Sequence, residues 1–119
     1  MDIEIRSRRG YLHVGVAKRE GVADARDALQ QIIEAIEAGG HRRVLITVRE
    51  SQALFGVAEY GLLDGISRLA GIPGLKIALV ADSDELLVSY RYIEALAAER
   101  SLIAKAFRSQ RRACRWLLG

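Results

Sequence analysis

The sequence predicts an α/β domain in which a five-stranded mixed sheet, opened by an N-terminal antiparallel hairpin and continued by parallel strands, carries about four helices. Three observations lead there. Short runs of alternating or β-branched apolar residues take turns with amphipathic stretches of helix length, the pattern of strands joined by helical crossovers. The first two strand-like runs have only the turn Arg8-Arg9-Gly10 between them, so they pair as a hairpin. The runs at 44–48 and 75–81 are nearly continuous in apolar side chains, as central parallel strands covered on both faces are.

The elements follow in the order β β α β α β α β α. In the first strand Ile3 and Ile5 alternate with Asp2, Glu4 and Arg6, which leaves one face wet. The second strand covers 11–17. The first helix, over 22–38, places Ala25, Leu29, Ile32, Ile33 and Ile36 on one stripe and keeps Asp24, Asp27, Glu34 and Glu37 off it. Gly39-Gly40 stops it by supplying a residue free to take positive φ. The second helix, over 57–70, aligns Ala58, Leu62, Ile66 and Leu69. Gly61 and Gly65 each cost that helix about 1 kcal/mol against alanine, and close approach of its backbone to a strand is the expected compensation. Pro73 and Gly74 close the segment. The third helix, over 83–100, has Asp82 and Glu85 at the spacing of a capping box. The fifth strand, over 102–107, is interrupted by Lys105, which places it near a sheet edge. Ser109 can cap the last helix, whose Ala113, Trp116 and Leu117 are set to dock on the sheet. Because parallel crossovers are right-handed, the β-α units should wind into one right-handed superhelix behind the hairpin. No linker or repeat interrupts the pattern, so residues 1–119 read as one domain.

Composition narrows function mainly by exclusion. With 50% hydrophobic and 28% charged residues, a chain of 119 residues can bury a core without a metal or disulfide staple. Its single cysteine, Cys114, cannot form an internal disulfide, and no Cys/His pair has zinc spacing; a reducing cytoplasm and no structural metal are expected. No apolar run nears 18 residues, and the start Met-Asp-Ile-Glu-Ile-Arg is too acidic and broken for a signal peptide, so a soluble cytoplasmic protein is expected. No glycine motif for cradling phosphates occurs, and no cofactor is expected.

Catalytic candidates are few. Of the two histidines, His13 sits inside the second strand as a packed or edge polar residue, and His41 reads as a solvated loop residue. Cys114 reads as a small apolar residue of the last helix, although Arg111, Arg112 and Arg115 flank it. Asp82, Asp84 and Glu85 gather at a helix start, where the macrodipole favours acids without any catalysis. An enzyme is therefore not expected. After Glu99 the chain carries Arg100, Lys105, Arg108, Arg111, Arg112 and Arg115 and no acid. Arginines spaced by three or four match the solvated face of a helix, and they also allow peripheral contact with anionic lipid, with Trp116 at the interface. Lacking a recognition-helix pattern or an aromatic strand motif, the chain is not expected to bind nucleic acid. The unpaired edge of the first strand, with Tyr11 beside it, would allow a homodimer.

The segment Arg49-Glu50-Ser51-Gln52-Ala53-Leu54-Phe55-Gly56 joins the third strand to the second helix and is the candidate site. Open α/β sheets bind at the carboxyl ends of their strands. Arg49, Glu50, Ser51, Gln52, Leu54, Phe55 and Gly56 are the candidate binding residues. Leu54 and Phe55 either pack under the loop or line a shallow apolar pocket, with Tyr60, Tyr90 and Tyr92 as further amphipathic lining.

Tyr11-Leu-His-Val-Gly-Val16, the acid-flanked first helix, Arg43-Val-Leu-Ile-Thr-Val48, Leu75-Lys-Ile-Ala-Leu-Val-Ala81 and the final Ala-Phe-Arg-Ser with Trp116-Leu117 together resemble the SpoIIAA-like, or STAS-like, proteins over nearly the whole chain. The resemblance implies a β-α superhelical domain that acts by binding, as a regulator or stress-related module without chemistry of its own. Some members look related to Sec14-type lipid-carrier folds, which implies room for a small hydrophobic ligand. The signalling branch carries an Asp-Ser-Ser-Gly-like motif whose serine is phosphorylated to switch partners. Here Phe55-Gly56-Val57-Ala58 falls opposite that motif with no hydroxyl among them, Ser51 lies too early, and Thr47 stands where an aspartate is common. The leading expectation is a non-enzymatic STAS-like protein-binding or regulatory domain working through 49–56. The alternative is a carrier or sensor of a small apolar or lipid-like ligand, using Leu54, Phe55 and the tyrosines. An anti-sigma-factor antagonist lacking the usual serine is a minor alternative.

Overall fold

Five strands lie side by side in chain order: β1 (Asp2–Arg8), β2 (Tyr11–Ala17), β3 (Arg43–Arg49), β4 (Lys76–Ala81) and β5 (Ile103–Phe107). The computed structural model describes residues 1–54, 56 and 60–119. β1 runs antiparallel to β2, with Arg8 opposite Tyr11 and Asp2 opposite Ala17, and each later pair is parallel. Three helices make the crossovers: α1 (Val22–Gly39) from β2 to β3, α2 (Leu62–Ala70) from β3 to β4, and α3 (Asp84–Glu99) from β4 to β5; α4 (Gln110–Leu118) follows the last strand. The α/β class, the hairpin, the mixed sheet and the four helices are those the sequence predicts.

Crossovers of one hand that advance in one direction deposit their helices on one face of the sheet. Accordingly Val14, Val44, Ile46 and Ile77 pack with Ile32 and Ile36 of α1, Ile66 and Leu69 of α2, and Leu86 and Tyr90 of α3. The strand period of two sends the intervening residues the other way. Leu45, Ala78 and Val80 meet Ala113 and Leu117 of α4 on the opposite face. The nearly unbroken apolar runs of β3 and β4 thus serve two cores at once.

α4 docks as expected and uses its aromatic residue to do so. Ser109 Oγ accepts from the Arg112 N–H at 3.3 Å, capping the helix. Lys76 Nζ donates to the Trp116 carbonyl at 2.6 Å and stands 4.2 Å from the indole centroid, while Phe107 lies 5.7 Å away on another side. The Trp116 side chain is thereby held by the domain itself, and Arg108, Arg111, Arg112 and Arg115 are exposed.

Three local expectations are corrected. α2 begins at Leu62, because Gly61 has φ +76° and cannot continue a right-handed helix; residues 57–59 of the expected helix lie outside the described residues. The close approach expected of its glycines is made by Gly65 to a helix, not a strand. A Cβ there would meet Ile33 Cδ1 at 3.1 Å and Leu29 Cδ2 at 3.2 Å, both on α1. The cap of α3 is Ser83, whose Oγ accepts from the Leu86 N–H at 3.1 Å. Asp82 instead accepts from the Glu50 N–H at 2.9 Å and so ties two connections together.

The end of α3 carries a local strain. Ser101 takes φ +63°, its N–H donates to the Ala98 carbonyl at 3.1 Å, and the Leu102 N–H donates to Ala97 at 2.9 Å. That pair of bonds is a Schellman motif with serine where glycine is usual. Ser101→Gly should stabilise the fold by about 1 kcal/mol through relief of the left-handed backbone. A urea midpoint that rises at unchanged slope is the expected reading; a midpoint that falls contradicts the strain.

Candidate functional site

The β2–α1 and β3–α2 connections leave neighbouring parallel strands at their carboxyl ends, and backbone and side-chain bonds lash them together. Lys18 N–H donates to the Arg49 carbonyl at 3.1 Å, and the Gln52 N–H to the Arg19 carbonyl at 3.2 Å. In return Arg19 N–H donates to Ser51 Oγ at 3.1 Å, and Arg19 Nη2 to the Gln52 carbonyl at 2.7 Å. Ser51 Oγ also donates to the Arg49 carbonyl at 2.8 Å. Lys18 (φ +59°) and Glu50 (φ +50°) mark the bends that make this possible.

The expected site residues therefore divide by role. Ser51 and Gln52 spend their polar groups on the Arg19 connection. Leu54 is half-buried against the main core, and its carbonyl accepts from Ser89 Oγ, itself buried, at 2.9 Å. Arg49, Glu50, Gln52 and Gly56 are exposed, and Phe55 lies outside the described residues. Tyr60 and Tyr90 are buried rather than half-buried, whereas Tyr92 is exposed.

Between the sheet and α1–α3 lies an apolar cavity of about 100 Å³, lined by Ile46 and Ile77 from the strands, Ile32, Ile66 and Ala97 from the helices, and by Arg19, Tyr60 and Tyr90. Burial pushes the Tyr90 phenol well up, although the charge and hydrogen bond of Arg19 pull the other way. Tyr60 is raised for the same reason, again opposed by Arg19. Both hydroxyls keep their protons near neutrality. Arg19 Nε is buried and has no hydrogen-bond acceptor among the described residues. A buried donor left unpaired costs about 1–3 kcal/mol, more on a charged group, so this N–H is an unfilled position beside an apolar void.

The opposite face carries a second hollow of about 670 Å³ over β1, β2 and β3, with Gln110 of α4 as its far wall. It is polar and open. Arg6 pairs with Glu4 at 2.8 Å, and His13 Nε2 lies 3.0 Å from Thr47 Oγ1. Burial, with help from the charge of Arg8, holds the imidazole below its ordinary pKa, so His13 is neutral at physiological pH. No carboxylate orients its other nitrogen among the described residues, and a base without an orienting partner is half of a catalytic arrangement. Cys114 packs against the α4 core, and His41 Nε2 meets Ser7 Oγ at 3.1 Å. The structure brings none of these three together. Among the described residues no cluster of His, Cys, Asp or Glu could hold a metal ion, and no helix is long and apolar enough to cross a membrane.

The member of the cavity that sequence reasoning missed is Arg19. In Lys18-Arg19-Glu20-Gly21 it looks like any polar connector. Only the register that sets Ala17 beside Arg49 carries it to the 51–52 backbone and the tyrosines. Compared with known proteins, the chain matches no protein-family model, no curated protein and no solved structure.

Proposed function

We propose that this domain is a non-catalytic binding module that holds a small apolar molecule in the cavity between its sheet and α1–α3. The cavity carries the reading: protein interiors pack at the density of organic crystals and leave few voids larger than a water. An engineered void of about 150 Å³ lined by aliphatic and aromatic side chains stays dry and takes up benzene, so a void of this kind accommodates a short chain of roughly four to six carbons. The 49–54 connection is bonded to Arg19, which lines the cavity, and to Ser89. A ligand that shifts this connection also alters the exposed surface at Arg49 and Glu50, which is how a regulatory STAS-like, cytoplasmic module would pass on occupancy. A protein partner read directly by Ser51 and Gln52 is less favoured, because both are bonded within the domain.

A titration of methyl-labelled protein with 1-pentanol tests this. A ligand of so few atoms binds in the millimolar range or somewhat below. Saturable shifts at Ile32, Ile46, Ile66 and Ile77 are expected. A linear drift spread over surface methyls contradicts the proposal.

A further inference from the structure

The geometry points to a short-chain aliphatic carboxylate as the ligand, its chain in the cavity and its carboxylate on Arg19. This rests on the apolar-ligand reading above and adds the chemistry of the head group.

Arg19 supplies the charge. It lines the cavity, and among the described residues no ion pair joins it to an acid. Nη2 is committed to the Gln52 carbonyl at 2.7 Å, and the guanidinium also shares a hydrogen bond with the Tyr90 hydroxyl. Nε is buried and unbonded among the described residues. A guanidinium presents its N–H groups in a planar fork that fits a carboxylate, and a charge-assisted bond is about twice as strong as a neutral one. The two tyrosines beside Arg19 extend the same preference, since neutral hydroxyls can donate to an anion. A neutral ligand would satisfy none of the charge. A phosphate dianion would bring a second negative charge into a mouth that offers one cation. A monoanion matches it.

Length follows from the void. With the carboxylate at the mouth, about 100 Å³ remains for the chain, enough for roughly four to six carbons and too little for a long acyl tail. Branched or straight chains of that length bury methylenes against Ile32, Ile66 and Ile77, each worth about 0.8 kcal/mol on leaving water.

The test compares pentanoate with 1-pentanol at about pH 7.5, where the acid is ionised. Dissociation constants come from methyl shifts of the full chain, of Arg19→Gln and of Arg19→Lys. Pentanoate is expected to bind at least about tenfold tighter than pentanol to the unaltered protein. Arg19→Gln should remove that advantage, so that pentanoate binds no tighter than pentanol, and saturable pentanol binding by the variant shows that it is folded. Arg19→Lys, which keeps a charge and lacks the fork, should recover only part of it. Pentanol binding as tightly as pentanoate, or pentanoate binding unchanged by Arg19→Gln, overturns the carboxylate assignment and leaves the apolar-ligand reading standing. If neither compound binds, both fall.

Discussion

Leu117→Ala is expected to lower the stability of the domain by about 3 kcal/mol, within the range of about 2–5 kcal/mol measured for large-to-alanine changes in cores. Leu117 is fully buried and, with Ala113, is the apolar anchor by which α4 covers Leu45, Ala78 and Val80. Trp116 gives only partial support, because its contacts to Lys76 and Phe107 lie at the margin of the same patch. Loss of the anchor should act locally first. Amides at 113–118 should exchange faster at solvent conditions where β3 and β4 remain protected, since α4 makes no crossover and can open as a unit. A loss below about 1 kcal/mol, with exchange at α4 unchanged, would mean that the helix is held by something other than this leucine.

Ala97→Leu has the second large effect, and its sign tests the cavity. Ala97 is fully buried on α3 and borders the void. Leucine adds three carbons; at about 0.8 kcal/mol for each buried methylene, less about 0.5–1 kcal/mol of side-chain entropy, filling a true void should stabilise the protein by roughly 1.5–2 kcal/mol. The same carbons occupy the space proposed for a ligand chain. Binding of 1-pentanol should therefore weaken by at least about tenfold as stability rises. If the space were too tight, overpacking would cost about 1–3 kcal/mol instead. Urea unfolding and one titration of the variant separate these outcomes, and a loss of stability on that scale contradicts the cavity.

The fold was legible because its main signals are contiguous. β3 and β4 are apolar, β-branched runs that need no partner to be recognised, and α1 writes its buried stripe over five turns before a glycine pair, with Gly40 at φ +67° as its stop. The start of α2 was not legible for a related reason. Leu62, Ile66 and Leu69 continue at helical spacing back to Ala58, and apolar spacing does not reveal that Gly61 has turned left-handed. Likewise Asp82 and Ser83 are both cap residues, and the choice between them depends on Glu50, a residue 32 positions away in the chain.

The cavity was not legible in the sequence: among the described residues of the 49–56 connection none lines it. The general rule for open sheets leads to the 49–56 connection, which touches the void's lining only indirectly, through the bonds of Ser51 and Gln52 to Arg19. Which polar groups remain free is a property of pairing between connections: Ser51 and Gln52 are used by Arg19, a residue with no distinguishing neighbours in its own segment. A cavity is still less visible, since it is a small difference between the volume enclosed by the elements and the summed volume of the side chains inside. No local pattern encodes that difference. Tyr60 and Tyr90 hinted at amphipathic lining, but their depth follows from how α3 and the turn before α2 lie against α1 and the sheet.

The most direct measurement of the central claim is the location of a bound probe by intermolecular nuclear Overhauser effects. With 1-pentanol near saturation, the alkyl protons should show contacts to methyls of Ile32, Ile66 and Ile77 and to the ring of Tyr90. Contacts confined to exposed side chains such as Val88 and Tyr92, with none to those interior methyls, would contradict a ligand cavity in this fold.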